Sequence, residues 1–197
     1  MIALTTCRKP SRNLRTFARN LTNSIPHVVR FNRGKIGIRE LINKLKELGS
    51  DRLILIYRKN GNPGIIKFFK LFNNELRLSP PIMLLAGVNF VKQQDSNHQR
   101  RKKYSAELMS FEDSLEKESL KFVEEVSDFL KLPYLSSNLC RKYKVSLHFS
   151  MTNNSIIKIA LTSPPGESEV GLNLLIKKVM WYHNNGLEIF SKNADKI

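Results

Sequence analysis

Between Met1 and Arg39 there is not one Asp or Glu, although the stretch carries 9 Lys and Arg. Nothing local neutralises those cations, so an acid-rich binding face or a carboxylate-based active site in this stretch is excluded. Cysteine is nearly as scarce. Cys7 and Cys140 stand alone, without the close pairs of a metal site or the dense pattern of a disulfide-stapled secreted domain. They are expected to be separate reduced thiols in an intracellular protein. No apolar run approaches the roughly 18 residues that span a bilayer, and Met1–Leu4 is too short for a signal-peptide core. A soluble, cytoplasmic protein with no membrane association is therefore expected.

Enzyme signatures are also missing. His27, His98, His148 and His183 show no metal-ligand spacing, and the chain has no H-E-x-x-H, G-x-S-x-G or P-loop pattern. Glu124 and Glu125 share their surroundings with Lys117 and Lys121, which is the mixture of a solvated helix face. The expectation is a non-catalytic protein with no cofactor and no metal.

What is present is positive charge. The 197 residues carry a formal charge of +16, which makes a polyanion the expected partner, nucleic acid ahead of an acidic membrane surface. The hydrophobic share of 41% is that of an ordinary globular chain, so the protein is expected to fold by itself. The charge is uneven: residues 1–91 are net +13 and residues 92–197 only +3. A polar stretch without apolar periodicity, "QQDSNHQRRKKYSAE" at Gln93–Glu107, separates the two halves and reads as a linker or exposed loop. Its Arg100–Lys103 run reads as solvated loop or as binding element.

Hydrophobic patterning suggests an α/β layer structure. In the first half, Ile2–Thr6 reads as a strand and Arg12–Ser24 as a helix that Ser11 caps. His27–Phe31 follows as a strand, Ile38–Leu48 as a helix ended by Gly49, and Asp51–Lys59 as a buried strand. "NGNPG" at Asn60–Gly64 is a turn signal that returns Ile65–Phe72 as an antiparallel partner. Strands separated by helices imply parallel neighbours, and the hairpin makes the sheet mixed. In the second half, Phe111, Leu115, Phe122, Val126 and Phe129 recur at helical spacing over Phe111–Leu130. Tyr143–Met151 alternates as a strand, Thr152–Asn154 turns it into Ile156–Thr162, and Gly171–Tyr182 reads as a long strand with Leu172, Leu174 and Ile176 on one face.

The first helix divides its faces sharply. Leu14, Phe17, Ala18, Leu21 and Ile25 fall on one side, while Arg12, Arg15 and Arg19 fall together on another. Arginines on consecutive turns suit phosphates, because the planar fork bonds two oxygens and stays charged at any working pH. Arg8 and Lys9 precede the helix start, where free backbone N–H groups also favour an anion. The loop Asn32, Arg33, Gly34 and Lys35 occupies the equivalent place after the second strand. Loops at the carboxyl ends of adjacent parallel strands share one edge, so the two basic loops are expected to form one site.

The segments "TTCRKPSRNLRTFARNL", "FNRGKIGIREL" and "RKNGNPGIIKFFKL" resemble the opening signatures of the Brix domain, in the compact form found in archaeal ribosome-biogenesis proteins. The likeness is specific across about residues 1–72, where Arg8, Lys9, Pro10 and Ser11 match the family motif and Cys7 stands where serine is usual. Later, Gly171 matches a Gly-Pro-Arg-like element, but Leu172 and Asn173 stand in place of its proline and arginine. The resemblance implies one Brix-like domain over residues 1–197, made of a basic half at 1–91 and a second half at 92–197. Both halves would be α/β with mixed sheets flanked by helices, similar to the anticodon-binding domain of class II aminoacyl-tRNA synthetases. It also implies a monomer that binds ribosomal RNA precursor without catalysis, in company with other ribosome-assembly proteins. The RNA contacts are then expected at Arg8, Lys9, Ser11, Arg12, Arg15, Arg19, Asn32, Arg33, Gly34 and Lys35. Two alternatives stand beside this reading: a protein-interaction scaffold of a pre-ribosomal particle, and a tRNA-binding accessory protein.

Overall fold

A computed structural model describes residues 1–90, 104–113, 115–152, 156–183 and 186–190. The chain forms two compact units, one of Met1–Thr22, His27–Gly87 and Ile176–Ile197, the other of Asn23–Pro26 and Val88–Leu175.

In the first unit, β1 (Ile2–Thr6) leads through α1 (Arg12–Ser24) to β2 (Val28–Arg30), and then through α2 (Ile38–Glu47) to β3 (Arg52–Lys59). β1 lies between β2 and β3 and is parallel to both, with Leu4 level with Arg30 and Thr6 level with Ile56. β4 (Asn62–Phe72) turns back antiparallel against β3, and β5 (Glu75–Phe90) against β4. The expected mixed sheet with a parallel core is observed. The chain steps from β1 outward to β2 and then back past β1 to β3, so right-handed crossovers put α1 and α2 on opposite faces of the sheet.

The burial follows that arrangement. Leu14, Phe17, Ala18, Leu21 and Ile25 are all buried, as the spacing predicts, while Arg12, Arg15 and Arg19 are exposed. On the other face Leu41 and Leu45 of α2 pack with Ala3 and Leu53, and Phe31, Ile36 and Phe69 close around them. Ser50 ties the strand starts together: its hydroxyl accepts from the Ala3 N–H at 3.1 Å and donates to the Met1 carbonyl at 2.9 Å.

β5 runs for 16 residues where the sequence suggests nothing regular. Its Pro80 and Pro81 hid it, since proline cannot donate to a ladder. They are accommodated at an irregularity: Ile66 pairs Met83 but Phe68 pairs Ser79, so Pro80–Ile82 bulge opposite Lys67.

The second unit repeats the plan. β6 (Leu108–Phe111) leads through α3 (Lys117–Leu130) to β7 (Tyr134–Ser136). A 3₁₀ turn at Ser137–Leu139 then precedes β8 (Ser146–Met151), β9 (Ile157–Thr162) and β10 (Glu169–His183). β6 is parallel to β7 and β8, and β9 is antiparallel to β8. The order β7-β6-β8-β9-β10 thus reproduces β2-β1-β3-β4-β5, with the short 3₁₀ turn in the place of α2. From Ile176 onward β10 belongs to the first unit, where β11 (Gly186–Phe190) pairs its Val179–His183 segment.

Several boundaries differ from the expectation. The helix expected from Phe111 begins only at Lys117. Phe111 is instead the last residue of β6, level with Phe149, and Leu115 precedes the helix. Phe122, Val126 and Phe129 are the true helical core positions, and all three are buried. The Phe111–Phe122 spacing imitated a helix because β6 is only four residues long and shows no alternation of its own. Tyr143–Val145 precede β8 rather than open it. Of the expected linker, residues 93–103, including the Arg100–Lys103 run, lie outside the described residues, as do Asn153 and Asn154 of the expected turn. Gly171 lies on β10, where a Cβ would stand 3.1 Å from Leu161 Cδ2, and Leu172 and Asn173 beside it are buried. Asn173 donates to Glu169 Oε2 at 2.8 Å, so its side chain is turned to internal use. Both cysteines are free thiols, Cys140 buried and Cys7 half-buried.

A buried polar chain crosses the second unit's parallel strands. The Ser110 hydroxyl lies 2.7 Å from the Ser146 hydroxyl and 3.0 Å from His148 Nδ1, and Ser146 lies 3.0 Å from Thr162 Oγ1, which accepts from the Gly166 N–H at 2.9 Å. Burial pushes the His148 imidazole below its ordinary value of 6.5, with Glu112 opposing that shift and Lys158 reinforcing it.

Two outcomes follow for stability. Phe17→Ala empties a fully buried ring site and should cost about 3–5 kcal/mol in urea unfolding. Because folding depresses the His148 pKa, the unfolded chain binds the extra proton first. Stability should therefore be intact above about pH 6.5 and fall as the pH drops below it. A His148→Asn variant should show a flatter pH profile of thermal midpoint across that window.

Candidate nucleic-acid interface

The carboxyl ends of β1, β2 and β3 open at one edge of the first unit, because the three strands are parallel and in register. The two basic loops of the first half, at Arg8–Lys9 and at Asn32–Lys35, both start from that edge. The first loop leaves β1 beside β3, where the Cys7 N–H donates to the Ile56 carbonyl at 2.9 Å. The second leaves β2 beside β1: the Phe31 N–H donates to the Leu4 carbonyl at 3.0 Å and the Thr5 hydroxyl to the Phe31 carbonyl at 2.9 Å.

Ser11 caps α1 as expected. Its Oγ accepts from the Leu14 N–H at 3.2 Å, satisfying one of the free donors of the first turn. The same hydroxyl donates to the Gly61 carbonyl, and Asn13 Nδ2 donates to Asn62 Oδ1 at 2.9 Å. The β3–β4 hairpin tip is thereby fastened to the start of α1. Ser11 is spent on holding two elements, which positions the neighbouring cations.

Arg8 and Lys9 are exposed at this lip. Arg8 reaches toward the second loop, its Nη2 lying 3.9 Å from where a Cβ on Gly37 would stand. Gly37 begins α2, and its N–H donates to Glu40 Oε2 at 2.6 Å. The two loops expected to share an edge thus approach each other at Arg8 and Gly37. Arg12, Arg15 and Arg19 continue from the lip along the exposed side of α1, the first and last seven residue steps or roughly 10 Å apart at 1.5 Å per step.

The second loop divides. Asn32, Gly34 and Lys35 are exposed, whereas Arg33 is buried, at 9% exposure, with its Nε donating to the Ile36 carbonyl at 3.2 Å. The Ile36 N–H returns to the Arg33 carbonyl at 3.1 Å, closing a tight turn. Gly34 has φ +57° there, the left-handed region that favours glycine. Arg33 therefore shapes the loop, and Lys35 presents its charge.

Arg58 and Lys59, which sequence reasoning passed over, join this edge. They are exposed at the end of β3, beside the loop that leaves β1 at Cys7 and just before the hairpin tip that Ser11 holds. The available signal was their position immediately ahead of "NGNPG", at the carboxyl end of a strand parallel to the first.

The second unit differs in sign after its first strand. Its first loop carries Glu112, Asp113 and Glu116 where the first unit carries Arg8 and Lys9. The Asp113 carboxylate accepts from the Ser136 hydroxyl and from Asn138 Nδ2, which closes that loop internally. Among the described residues no group of three His, Cys, Asp or Glu is placed to hold a metal ion, and no helix is long and apolar enough to cross a membrane.

By fold and surface this is a duplicated α/β protein with a basic parallel-strand edge in one copy of the repeat. Its sequence relatives carry names from ribosome biogenesis. Probable Brix domain-containing ribosomal biogenesis proteins match it from Aeropyrum pernix, 38% identical over 66 residues, 34% of this chain and 37% of the relative, and from Methanococcus maripaludis, 38% identical over 76 residues, 37% of this chain and 41% of the relative. The matched stretch spans less than half the length of either. No family model matches the chain. Two crystal structures share the fold over most of its length. One is of a probable ribosomal biogenesis protein from Aeropyrum pernix K1, with a TM-score of 0.65 and 20% identity over 89% of this chain and 94% of that one. The other is of Mil, an archaeal Imp4-like protein, with a TM-score of 0.64 and 17% identity over 90% and 98%. The resemblance to archaeal Brix-domain ribosome-biogenesis proteins seen in the opening motifs is borne out.

Replacing Ser11 by Ala removes both the cap and the tie to Gly61 and should cost about 1–2 kcal/mol in urea unfolding. Ser11→Asp keeps an acceptor for the Leu14 N–H but cannot donate to the Gly61 carbonyl, so it should recover only the capping part of that loss. It also sets a carboxylate among the cations, so its affinity for a polyphosphate should fall below that of the Ala variant.

Proposed function

We propose that this protein is a non-catalytic factor of ribosome biogenesis that binds ribosomal RNA precursor through the basic edge of its first unit. The observation that carries the reading is the gathering of Arg8, Lys9, Lys35, Arg58 and Lys59 at one strand edge, from which Arg12, Arg15 and Arg19 continue along the exposed side of α1. Base-paired and single-stranded RNA both present phosphates at spacings that a row of guanidiniums can follow. The names of its relatives point the polyanion toward the ribosome. The action we infer is chaperoning: the edge holds an RNA segment while neighbouring elements pair or dock, in the cytoplasm and with the protein acting as a monomer.

We further read the chain as one Brix-like domain of two halves, each related to the anticodon-binding fold of class II aminoacyl-tRNA synthetases. The repeated strand order of the two units supports the division into two like halves. A second reading, contact between the second half and a basic assembly protein, draws on the acidic loop at Glu112–Glu116.

The test is a variant with Arg8, Lys9, Arg12 and Arg15 all replaced by Ala. Its circular dichroism and thermal midpoint should stay near those of the parent, because all four side chains are exposed. Its affinity for a ribosomal RNA precursor fragment at moderate salt should drop roughly a hundredfold, as expected for several lost charge-assisted contacts. Unchanged RNA affinity would overturn the proposal and favour the protein-contact reading.

A further inference from the structure

The basic edge accounts for phosphates but not for bases, and one face of the first unit's sheet supplies a place for them. Alternate residues of a strand share a face, so Tyr57 lies on the side of Leu53, the side that α2 covers. In the ladder Leu53 is level with Phe69, Leu55 with Lys67 and Tyr57 with Ile65, and Ile65 is in turn level with Leu84. Packing of α2 reaches Leu53 and Phe69. Toward the carboxyl end of β3, Tyr57, Ile65, Lys67 and Leu84 are only half-buried, whereas Ile54, Ile56, Ile66 and Phe68 on the opposite face are buried.

This uncovered patch adjoins the phosphate edge. Thr6 is level with Ile56 and the Cys7 N–H bonds to the Ile56 carbonyl, so Tyr57 stands beside the start of the Arg8–Lys9 loop. Arg58 and Lys59 follow it directly. The acidic residues Glu47, Asp51 and Glu75 lie at the far ends of α2, β3 and β5, leaving Glu40 at this edge, bonded to the Gly37 N–H. The Lys67 ammonium sits over the Tyr57 ring, 5.5 Å from its centre.

We infer that Tyr57 is a stacking platform for one unpaired nucleobase of an RNA strand whose phosphates run along the Arg8–Lys9 edge, a reading that rests on the proposed RNA-binding function. Half-buried Ile65 and Leu84 extend the apolar floor beneath such a base. A cation over an exposed ring is held more weakly than a stacked base, so the base displaces the Lys67 ammonium from the ring and the ammonium meets the adjoining phosphate. Sequence preference at this position is slight, since every base has a π face.

The experiment compares a fluorescein-labelled single-stranded 12-nucleotide RNA of mixed sequence with an abasic ribose-phosphate oligomer of the same length, by fluorescence anisotropy. Tyr57→Phe should bind both as the parent does. Tyr57→Leu keeps apolar bulk but no π face, and should lose roughly ten- to a hundredfold affinity for the RNA with unchanged affinity for the abasic oligomer, which also reports that it is folded. Equal RNA affinity of Tyr57→Leu and the parent overturns the stacking site and leaves the phosphate edge standing. Equal loss for both oligomers assigns Tyr57 a structural role and overturns it likewise. Failure of the parent to bind either oligomer overturns the RNA-binding function itself.

Discussion

The parallel pairing of β1 with both β2 and β3 is the constraint on which the rest of the first unit depends. With Leu4 level with Arg30 and Thr6 level with Ile56, three chain segments far apart in sequence leave the sheet at one edge. An antiparallel placement of either neighbour would send its loop to the opposite end. Charge then accumulates at the edge because the sequence puts its cations just after strands and its few acids elsewhere. Such a concentration of like charge is unfavourable to the folded state by itself. The buried faces of α1 and α2 and the Ser11 and Ser50 hydrogen bonds hold it in place.

The two units show what is scaffold and what is surface. They share one order of strands and one pattern of parallel and antiparallel neighbours, yet the loop after the first strand is basic in one and acidic in the other. The second unit also has a single 3₁₀ turn in the place of α2 and links β6, β8 and β9 through the Ser110, Ser146, His148 and Thr162 chain. A common fold thus carries two chemically different edges. Function has to be argued from each edge separately.

Strong periodicity made β1, α1, α2 and the β3–β4 hairpin legible in the sequence, and the convergence of Arg8, Lys9 and the Asn32–Lys35 loop followed from the parallel frame alone. The misses have specific causes. β5 was hidden by Pro80 and Pro81, which sit at a ladder irregularity that no local pattern reveals. β6 and β7 are four and three residues long, too short to show alternation, so Phe111 passed for the first turn of α3. Arg33 looked like any loop cation, and only the turn closed by Ile36 shows its side chain folded inward. Arg58, Lys59 and Tyr57 gained meaning from register with β1, a relation between residues some fifty positions apart.

The most direct test of the shared edge is the salt dependence of RNA binding by the intact chain. If some four to six of the converging cations meet phosphates together, the logarithm of the association constant should fall linearly with the logarithm of salt concentration, with a slope of roughly −3 to −5. A slope near −1 or shallower would mean that the cations act singly, contradicting the claim that parallel pairing assembles them into one site.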